Sequence, residues 1–117
     1  MPKCSRDSSI LQHMLDYCLE IDRTLQEISN EREKFDASST HRNALALCVL
    51  QIGELVGILS DDFKTAYPEM PWKDIKQMRN IVAHKYGSFD FDILWEVVSE
   101  DIPELSAFCE NHLRRKL

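Results

Sequence analysis

The sequence predicts an all-α fold, an up-and-down bundle of four to five helices in a single domain spanning residues 1–117. Three observations support this class. Apolar residues recur at three- and four-residue steps through most of the chain, which is the spacing of one-sided helices. No stretch shows the strict apolar–polar alternation of a half-buried strand. Turn-forming residues are scarce, with 3 Gly and 4 Pro, and this favours few, long elements.

The first helix is expected to start at a cap on Ser8 or Ser9 and to bury one face. That face consists of apolar residues at helical spacing: Ile10, Leu11, Met14, Cys18, Ile21, Leu25 and Ile28. Ser29 and Asn30 weaken the helix, and a short turn is expected over residues 31–35.

The second helix is expected to be the most buried one. It follows a loop over residues 36–39, starts at a cap on Ser39 or Thr40, and runs to about Leu59. Apolar residues cover more of its circumference than in any other segment. Glu54 lies inside it and has two interpretations. Its carboxylate either occupies a narrow solvent-facing edge, or reaches and supports a functional site or a partner chain.

A short helix and then a functionally interesting helix follow. Ser60 is placed to cap the short helix, and Pro68 begins the linker after it. Pro71 suits the first position of a helix over residues 71–85, because its missing N–H is harmless there. Gly87 comes just past the end of that helix, where glycine commonly adopts the left-handed conformation.

The last helix is expected to start at a cap on Asp90 and to be kinked near Pro103. Proline removes one backbone hydrogen bond and crowds Ser99, which predicts a kink there or a break at Ile102. The apolar side of this helix is formed by seven residues: Phe91, Leu94, Trp95, Val98, Leu105, Cys109 and Leu113.

Charge is distributed unevenly along the chain. The formal net charge of −6 argues against a protein that coats nucleic acid non-specifically, since such proteins are normally basic. Residues 71–86 nevertheless carry a local charge of +3, and residues 87–104 carry six acids and no base. Either a small basic site binds a confined phosphate-bearing ligand or an acidic partner, or these charges are solvated helix faces.

Several classes of protein are disfavoured by composition. The four cysteines, none in a C-x-x-C pair, indicate buried thiols in a reducing cytosol: Cys4, Cys18, Cys48 and Cys109. The four histidines, at positions 13, 41, 84 and 112, lack ligand spacing, so neither a metal nor another cofactor is expected. The polar N-terminus does not resemble a signal peptide, and no apolar run approaches the ~20 residues that span a bilayer.

The candidate site is the stretch Arg-Asn-Ile-Val-Ala-His-Lys-Tyr at residues 79–86. At about 100° per residue, Ile75 and Met78 lie on the buried line. Arg79 falls beside this line, so it is expected to point toward a neighbouring element or a second chain, whereas His84 falls about 140° from Arg79 on an ideal helix. The two groups therefore share a site only if the helix loosens at its end or a second chain contributes across a two-fold axis. This geometry favours a dimer.

These residue types permit RNA cleavage. His84 can transfer protons near neutral pH, Arg79 matches phosphate oxygens, and Asn80 can donate to a developing oxyanion. A base that removes the proton of the substrate's own 2′-hydroxyl, and a cation that stabilises the phosphorane, require no metal. The structural alternative is a histidine that is favourable at a helix C-terminus. In that case Lys85 is a solvated charge rather than a supporting group, and Tyr86 is a packed ring.

The spacing of Arg79, His84 and Tyr86 matches an R-x4-H-x-Y signature, and the chain resembles the HepT-like toxin branch of the HEPN superfamily. The similarity covers most of the chain. Three further stretches share it: Gln-Ile-Gly-Glu at residues 51–54, Met-Pro-Trp at 70–72 and Asp-Ile-Leu-Trp at 92–95.

The resemblance implies an all-α homodimer whose two motifs face each other in a cleft. It implies a metal-independent endoribonuclease, the toxin of a type VII-like toxin–antitoxin pair, with Arg79 and His84 as the catalytic pair and Asn80 assisting. It also implies a minimal nucleotidyltransferase as antitoxin, which inhibits the toxin by adding AMP to Tyr86. Many superfamily members are non-catalytic, so a helical nucleotide- or protein-binding module that partners a nucleotidyltransferase is the alternative.

Overall fold

A computed structural model describes residues 2–82 and 90–115, and for residues 2–5, 81 and 82 only the backbone. Over these residues the chain is all-α with no strand, which confirms the predicted class. The helical elements, in chain order, are α1 (Pro2–Glu27), α2 (Arg32–Ala37), α3 (Ser39–Ile58), α4 (Asp61–Ala66), α5 (Trp72–Val82), α6 (Phe91–Glu96), a π turn (Val97–Asp101) and α7 (Ile102–Arg115).

Helix α3 is the centre of the bundle. It packs against α1 on one side and against α5 on the other, while α1 also packs against α7. Seven residues of α3 are buried, in agreement with its dense apolar pattern. The helix that carries the candidate site is therefore held directly against the central helix of the bundle.

The predicted start of the first helix is wrong, because α1 begins at Pro2 and not at Ser8 or Ser9. Proline tolerates a first helical turn, where its N–H would be unpaired. Asp7 is buried, and its carboxylate accepts hydrogen bonds from the backbone N–H and the hydroxyl of Ser60 at 3.0 and 2.7 Å. This contact, 53 residues away in sequence, makes the polar beginning of α1 part of the packed structure.

The predicted loop over residues 36–39 is too long. Helix α2 continues to Ala37, and Ser38 alone separates it from α3. Ser38, rather than Ser39 or Thr40, caps α3, and its hydroxyl accepts a hydrogen bond from the His41 backbone N–H at 3.3 Å. Its own backbone N–H donates to a carbonyl of α2, so one residue ends one helix and begins the next.

The predicted Ser60 cap is confirmed, with its hydroxyl accepting from the Phe63 backbone N–H at 3.1 Å. Pro71 lies one position earlier than predicted, at the N-cap of α5, where its carbonyl accepts from the Ile75 N–H at 3.0 Å. The Trp72 indole N–H donates to the Tyr67 carbonyl at 3.0 Å and fixes the linker against the start of α5. These contacts set the direction in which α5 leaves the linker.

The Asp90 cap of the last helix is also confirmed, since its carboxylate accepts from the Ile93 N–H at 3.1 Å. The irregularity predicted near Pro103 takes the form of the π turn, and α7 begins at Ile102, the predicted break point. Proline at position 103 has no N–H to donate into the preceding turn, which favours a local departure from α-helical pairing.

Candidate active site

Glycine at position 53 lets α5 approach α3 closely beneath the candidate site. A Cβ atom at Gly53 would lie 2.8 Å from the Cβ of Arg79 and 3.4 Å from the Lys76 carbonyl oxygen. Carbon atoms in ordinary contact are separated by about 3.5–4.0 Å, so only glycine fits this position without moving α5. The close contact places the base of the Arg79 side chain directly on α3.

Arg79 contacts two polar neighbours. Its Nε donates to Glu54 on α3 in an ion pair, and its Nη1 donates to the Asn80 side-chain oxygen at 3.2 Å. The Arg79 side chain is 49% exposed and that of Glu54 is 58% exposed. Glu54 thus combines both interpretations of its sequence position, since it faces solvent and also contacts a predicted site residue. Arg79 points toward a neighbouring element, as its position beside the apolar line predicts.

The environment leaves Arg79 available to a ligand. A half-exposed ion pair of this kind stabilises a protein by only about 0–1 kcal/mol. A guanidinium has five N–H donors, and the contacts to Glu54 and Asn80 use two of them. An approaching phosphate can therefore pair with the remaining donors or displace the carboxylate. The arrangement is suited to binding an anionic group at the surface of the α3–α5 contact.

The remaining predicted site residues, His84, Lys85 and Tyr86, lie outside the described residues. Gly87 and the predicted end of the site helix also lie outside them, because Val82 is the last described residue of α5. Their roles stay predictions. Of the six predicted site residues, the structure brings together Arg79, Asn80 and Glu54.

The chain is firmly anchored where it returns from this segment, at the start of α6. Asp92 forms an ion pair with Arg32 of α2. The guanidinium of Arg42, on α3, lies 4.4 Å from the centre of the Phe91 ring, and the same ring packs edge-on against Phe35 at 6.4 Å. Both flanks of the candidate site are consequently fixed to the α2–α3 region.

Sequence reasoning assigned no structural role to Gly53, Arg32 or Arg42, and only the glycine left a readable signal. Two glycines four residues apart, Gly53 and Gly57, lie in the most apolar helix and indicate close approach of another backbone. Arg32 and Arg42 resemble ordinary surface charges in the sequence, because the residues that they contact at the start of α6, Asp92 and Phe91, are distant along the chain.

Apolar residues flank the Arg79–Glu54 pair on the surface of α3. Leu47 is 55% exposed and Ile58 is 51% exposed. They precede and follow Glu54 by seven and four residues, which puts all three on one face of the helix. An exposed apolar face of this kind, interrupted by a charged pair, is typical of a surface that another molecule covers.

The structure indicates no second reactive centre among the described residues. They contain no cluster of ligands that could hold a metal ion. The thiols of Cys18, Cys48 and Cys109 are buried and free, as predicted, and the side chain of the fourth cysteine, Cys4, lies outside the described residues. Burial raises the pKa of Cys48 to about 11 and that of Cys109 to about 12, and it also raises the pKa of Cys18. These thiols are therefore protonated and unreactive at neutral pH.

No helix in the described part of the chain is both long and apolar enough to cross a bilayer.

Comparison with known proteins gives a consistent family. The model of the family described as "HepT-like: Ribonuclease HepT-like" matches residues 14–112. "Putative RNase TTE0752" of Caldanaerobacter subterraneus subsp. tengcongensis is 30% identical over 106 residues, 91% of this chain and 93% of that protein. "Putative RNase MJ1380" of Methanocaldococcus jannaschii is 41% identical over 54 residues, 46% of this chain and 50% of the relative.

A third relative, "Probable ribonuclease HepT" of Thermococcus cleftensis, is 43% identical over 54 residues, 46% of this chain and 49% of its own length. The chain thus matches about half the length of some of its curated relatives and nearly the whole of another. No solved structure matches it significantly.

Proposed function

Because this chain belongs to the Ribonuclease HepT-like family, we propose that it is a metal-independent endoribonuclease, acting as one domain over residues 1–117. The observation that carries the proposal is the family match over residues 14–112, which includes the whole R-x4-H-x-Y segment. The exposed guanidinium of Arg79, held by Glu54 at the α3–α5 contact, supports it with a group of the right charge and accessibility.

The proposed reaction uses the 2′-hydroxyl of the substrate as nucleophile. His84 removes the proton of this hydroxyl, and the oxygen attacks the adjacent phosphorus. Arg79 binds the non-bridging oxygens as negative charge builds on the phosphorane, and Asn80 assists by hydrogen bonding. The bond to the 5′-oxygen then breaks, and that oxygen receives a proton from the protonated His84, which acts as the general acid and is thereby restored. The products are a 2′,3′-cyclic phosphate and a 5′-hydroxyl. DNA lacks the nucleophile and is not cleaved.

Within this proposal the active form is a homodimer. The exposed apolar face of α3, with Leu47 and Ile58 on either side of Glu54, provides a surface that a second copy would cover. A two-fold axis close to this face would bring two copies of Arg79 near each other. Of the two ways in which Arg79 and His84 can share a site despite their 140° separation on an ideal helix, this arrangement is the one in which a second chain contributes.

We further propose that the protein is the toxin of a cytoplasmic toxin–antitoxin pair and that Tyr86 is its point of control. A minimal nucleotidyltransferase would join AMP from ATP to the Tyr86 hydroxyl oxygen, with pyrophosphate as the leaving group. The added phosphate would repel the RNA backbone two residues from His84. Lys85, between them in sequence, would contribute positive charge to the unmodified site.

The proposal is tested with purified protein and unmodified RNA in the presence of a metal chelator. Arg79→Ala and His84→Ala should each lower the cleavage rate about 10²-fold or more while the thermal melt is retained. Matched controls are Arg23→Ala and His13→Ala, both at exposed positions of α1. A folded His84→Ala protein that cleaves RNA at the wild-type rate would overturn the assignment. RNA binding without any cleavage by the wild type would favour the non-catalytic binding module.

Control by modification has a separate test. Tyr86→Phe removes the hydroxyl that would accept AMP, so this variant should remain toxic when the nucleotidyltransferase is expressed with it. Tyr17→Phe, on α1, should still be silenced. Silencing of the Tyr86→Phe variant would contradict the proposed role of this residue.

A further inference from the structure

Helix α5 separates two grooves of opposite charge. One groove, of about 450 Å³, lies between α4, α5 and the end of α3, and its lining includes three lysines and one carboxylate: Lys64, Lys73, Lys76 and Asp61. The other, of about 300 Å³, lies between α5 and the last helical segments. Its lining includes four carboxylates and, among the described residues, no basic side chain: Asp74, Glu96, Asp101 and Glu104.

Arg79 follows the two α5 lysines of the basic groove along the same helix. Lys73, Lys76 and Arg79 are three residues apart, so each lies about 4.5 Å further along the helix axis and about 60° further round it, and the three form a curved row about 9 Å long. Asp74, which lines the acidic groove, lies about 160° round the helix from Lys76. The two sides of α5 are thus clearly distinguished in charge.

Two of the lysines are held in place by the fold. The Lys64 ammonium donates to the Val56 carbonyl oxygen at 3.3 Å, near the C-terminal end of α3, where a cation is favourable. The Cε atom of Lys76 lies 3.6 Å from where a Cβ of Gly57 would be, so its aliphatic stem rests on the glycine surface of α3. Such packing of the stem leaves the charged end in solvent.

We propose that the groove of Lys64, Lys73 and Lys76, here called the lysine groove, binds backbone phosphates of the RNA strand on one side of the phosphate that is cleaved at Arg79. The inference rests on the proposed ribonuclease function and adds a substrate-binding site to it. Charge complementarity supports it, because phosphates attract ammonium groups and the opposite groove repels them. The chain as a whole is acidic, which makes this local concentration of lysines unusual.

Continuity with Arg79 favours an RNA strand over an acidic protein as the occupant. A strand whose scissile phosphate lies at Arg79 must place its neighbouring phosphates along α5 in one direction or the other. The row of lysines offers partners in one direction, toward the start of the helix. The groove therefore selects substrates that extend several nucleotides on this side of the cleavage position.

The experiment measures binding separately from cleavage. The probe is a fluorescent 12-nucleotide RNA that is 2′-O-methylated throughout, since it has the phosphates but no attacking hydroxyl. The test variant combines Lys73→Ala and Lys76→Ala, both at exposed helical positions where alanine favours the helix. The control combines Arg23→Ala and Lys34→Ala, which removes the same charge from exposed positions on α1 and α2. Thermal melts verify the fold of both.

The test variant should raise Kd about tenfold at 50 mM salt, and the control less than about twofold. The slope of log K against log salt should become shallower by about 1.4, which corresponds to two lost phosphate contacts on a single strand. A DNA strand of the same sequence should show the same dependence on the lysines, since the site contacts phosphates.

The possible results distinguish this inference from the proposed function. If unmodified RNA is not cleaved but binding still depends on the two lysines, the lysine groove is supported and the ribonuclease assignment fails. If RNA is cleaved and the test variant binds and cleaves like the control, the ribonuclease assignment holds and the lysine groove is wrong. The lysine groove would also be wrong if the test variant bound RNA like the control but lost binding to an acidic protein partner.

Discussion

Replacing Gly53 by alanine is expected to disturb the candidate site from beneath. The added methyl carbon would lie 2.8 Å from the Cβ of Arg79, which is fixed to the backbone of α5 and cannot rotate away. To restore an ordinary carbon–carbon contact of at least about 3.5 Å, the two helices must separate by roughly 0.7 Å. Gly57→Ala is the matched control, because its methyl would lie 3.6 Å from the flexible end of Lys76.

The two variants share one favourable term and differ in another. Each gains about 1 kcal/mol of helix propensity when glycine becomes alanine. Only Gly53→Ala also overpacks the α3–α5 contact, which destabilises a protein by about 1–3 kcal/mol. Gly57→Ala should therefore be more stable than Gly53→Ala by about 2 kcal/mol, a difference of about 8 °C in Tm for a chain of this size. The displacement of Arg79 should also lower RNA cleavage about tenfold.

Circular dichroism melts of the three proteins, followed by single-turnover cleavage of one RNA, measure both effects. Gly57→Ala should melt at or above the wild type and retain its cleavage rate. A helical Gly53→Ala protein that melts with Gly57→Ala would refute the reasoning about packing. If Gly53→Ala melts like Gly57→Ala but no longer cleaves RNA, the position of Arg79 matters for cleavage independently of the stability of the α3–α5 contact.

Three further predictions concern charge, thiols and assembly. Burial raises the pKa of the Asp101 carboxyl above its usual range, and the nearby Glu96, Glu100 and Glu104 raise it further. At pH values between the usual and the raised pKa, the folded chain therefore keeps a proton on Asp101 that the unfolded chain has lost. Stability falls in this range as pH rises. Asp101→Asn should therefore raise Tm at pH 7 but not below about pH 4, and equal Tm values of the variant and the wild type at pH 7 would contradict this prediction. In a Cys4→Ser background, the three buried thiols should resist a disulfide reagent at pH 8 until the protein is unfolded, because they are covered and their pKa values are raised. Rapid reaction of any of them in the folded protein would contradict this. In light scattering, Leu47→Asp should give folded monomers while Leu19→Asp on α1 leaves the proposed dimer intact, since only Leu47 lies on the face of α3 that carries Glu54. Equal behaviour of the two variants would show that this face is not the interface.

The helices could be predicted because local patterns encode them. Ser60 and Asp90 cap helices as their types and positions indicate, and Pro103 disturbs the last helix as its missing N–H requires. The start of α1 could not be predicted from local signals, because Ser8 and Ser9 are able to cap a helix and the contact of the preceding Asp7 with Ser60 is 53 residues away in sequence. Capping signals identify residues that are able to end a helix, but tertiary packing selects among them.

In the candidate site, too, local sequence patterns predict some features and tertiary packing decides the others. Placing α5 on a helical wheel predicts that Arg79 leaves the apolar line and points toward a neighbouring element, and the structure confirms this. The wheel could not identify Glu54 as the partner, because this depends on how closely α3 and α5 approach. That distance is set by Gly53, whose contribution is a missing atom and leaves only a weak pattern in the sequence.

The weakness of the Arg79–Glu54 pair in the single chain has a consequence for the proposed dimer. Both side chains are about half exposed, so water screens their attraction and the guanidinium is held with little energy. A second copy that covers Leu47 and Ile58 would remove water from around the pair and strengthen every electrostatic interaction there, including that of Arg79 with phosphate. Assembly would then organise the site as well as complete it. Specific activity should consequently fall on dilution through the dimer dissociation range.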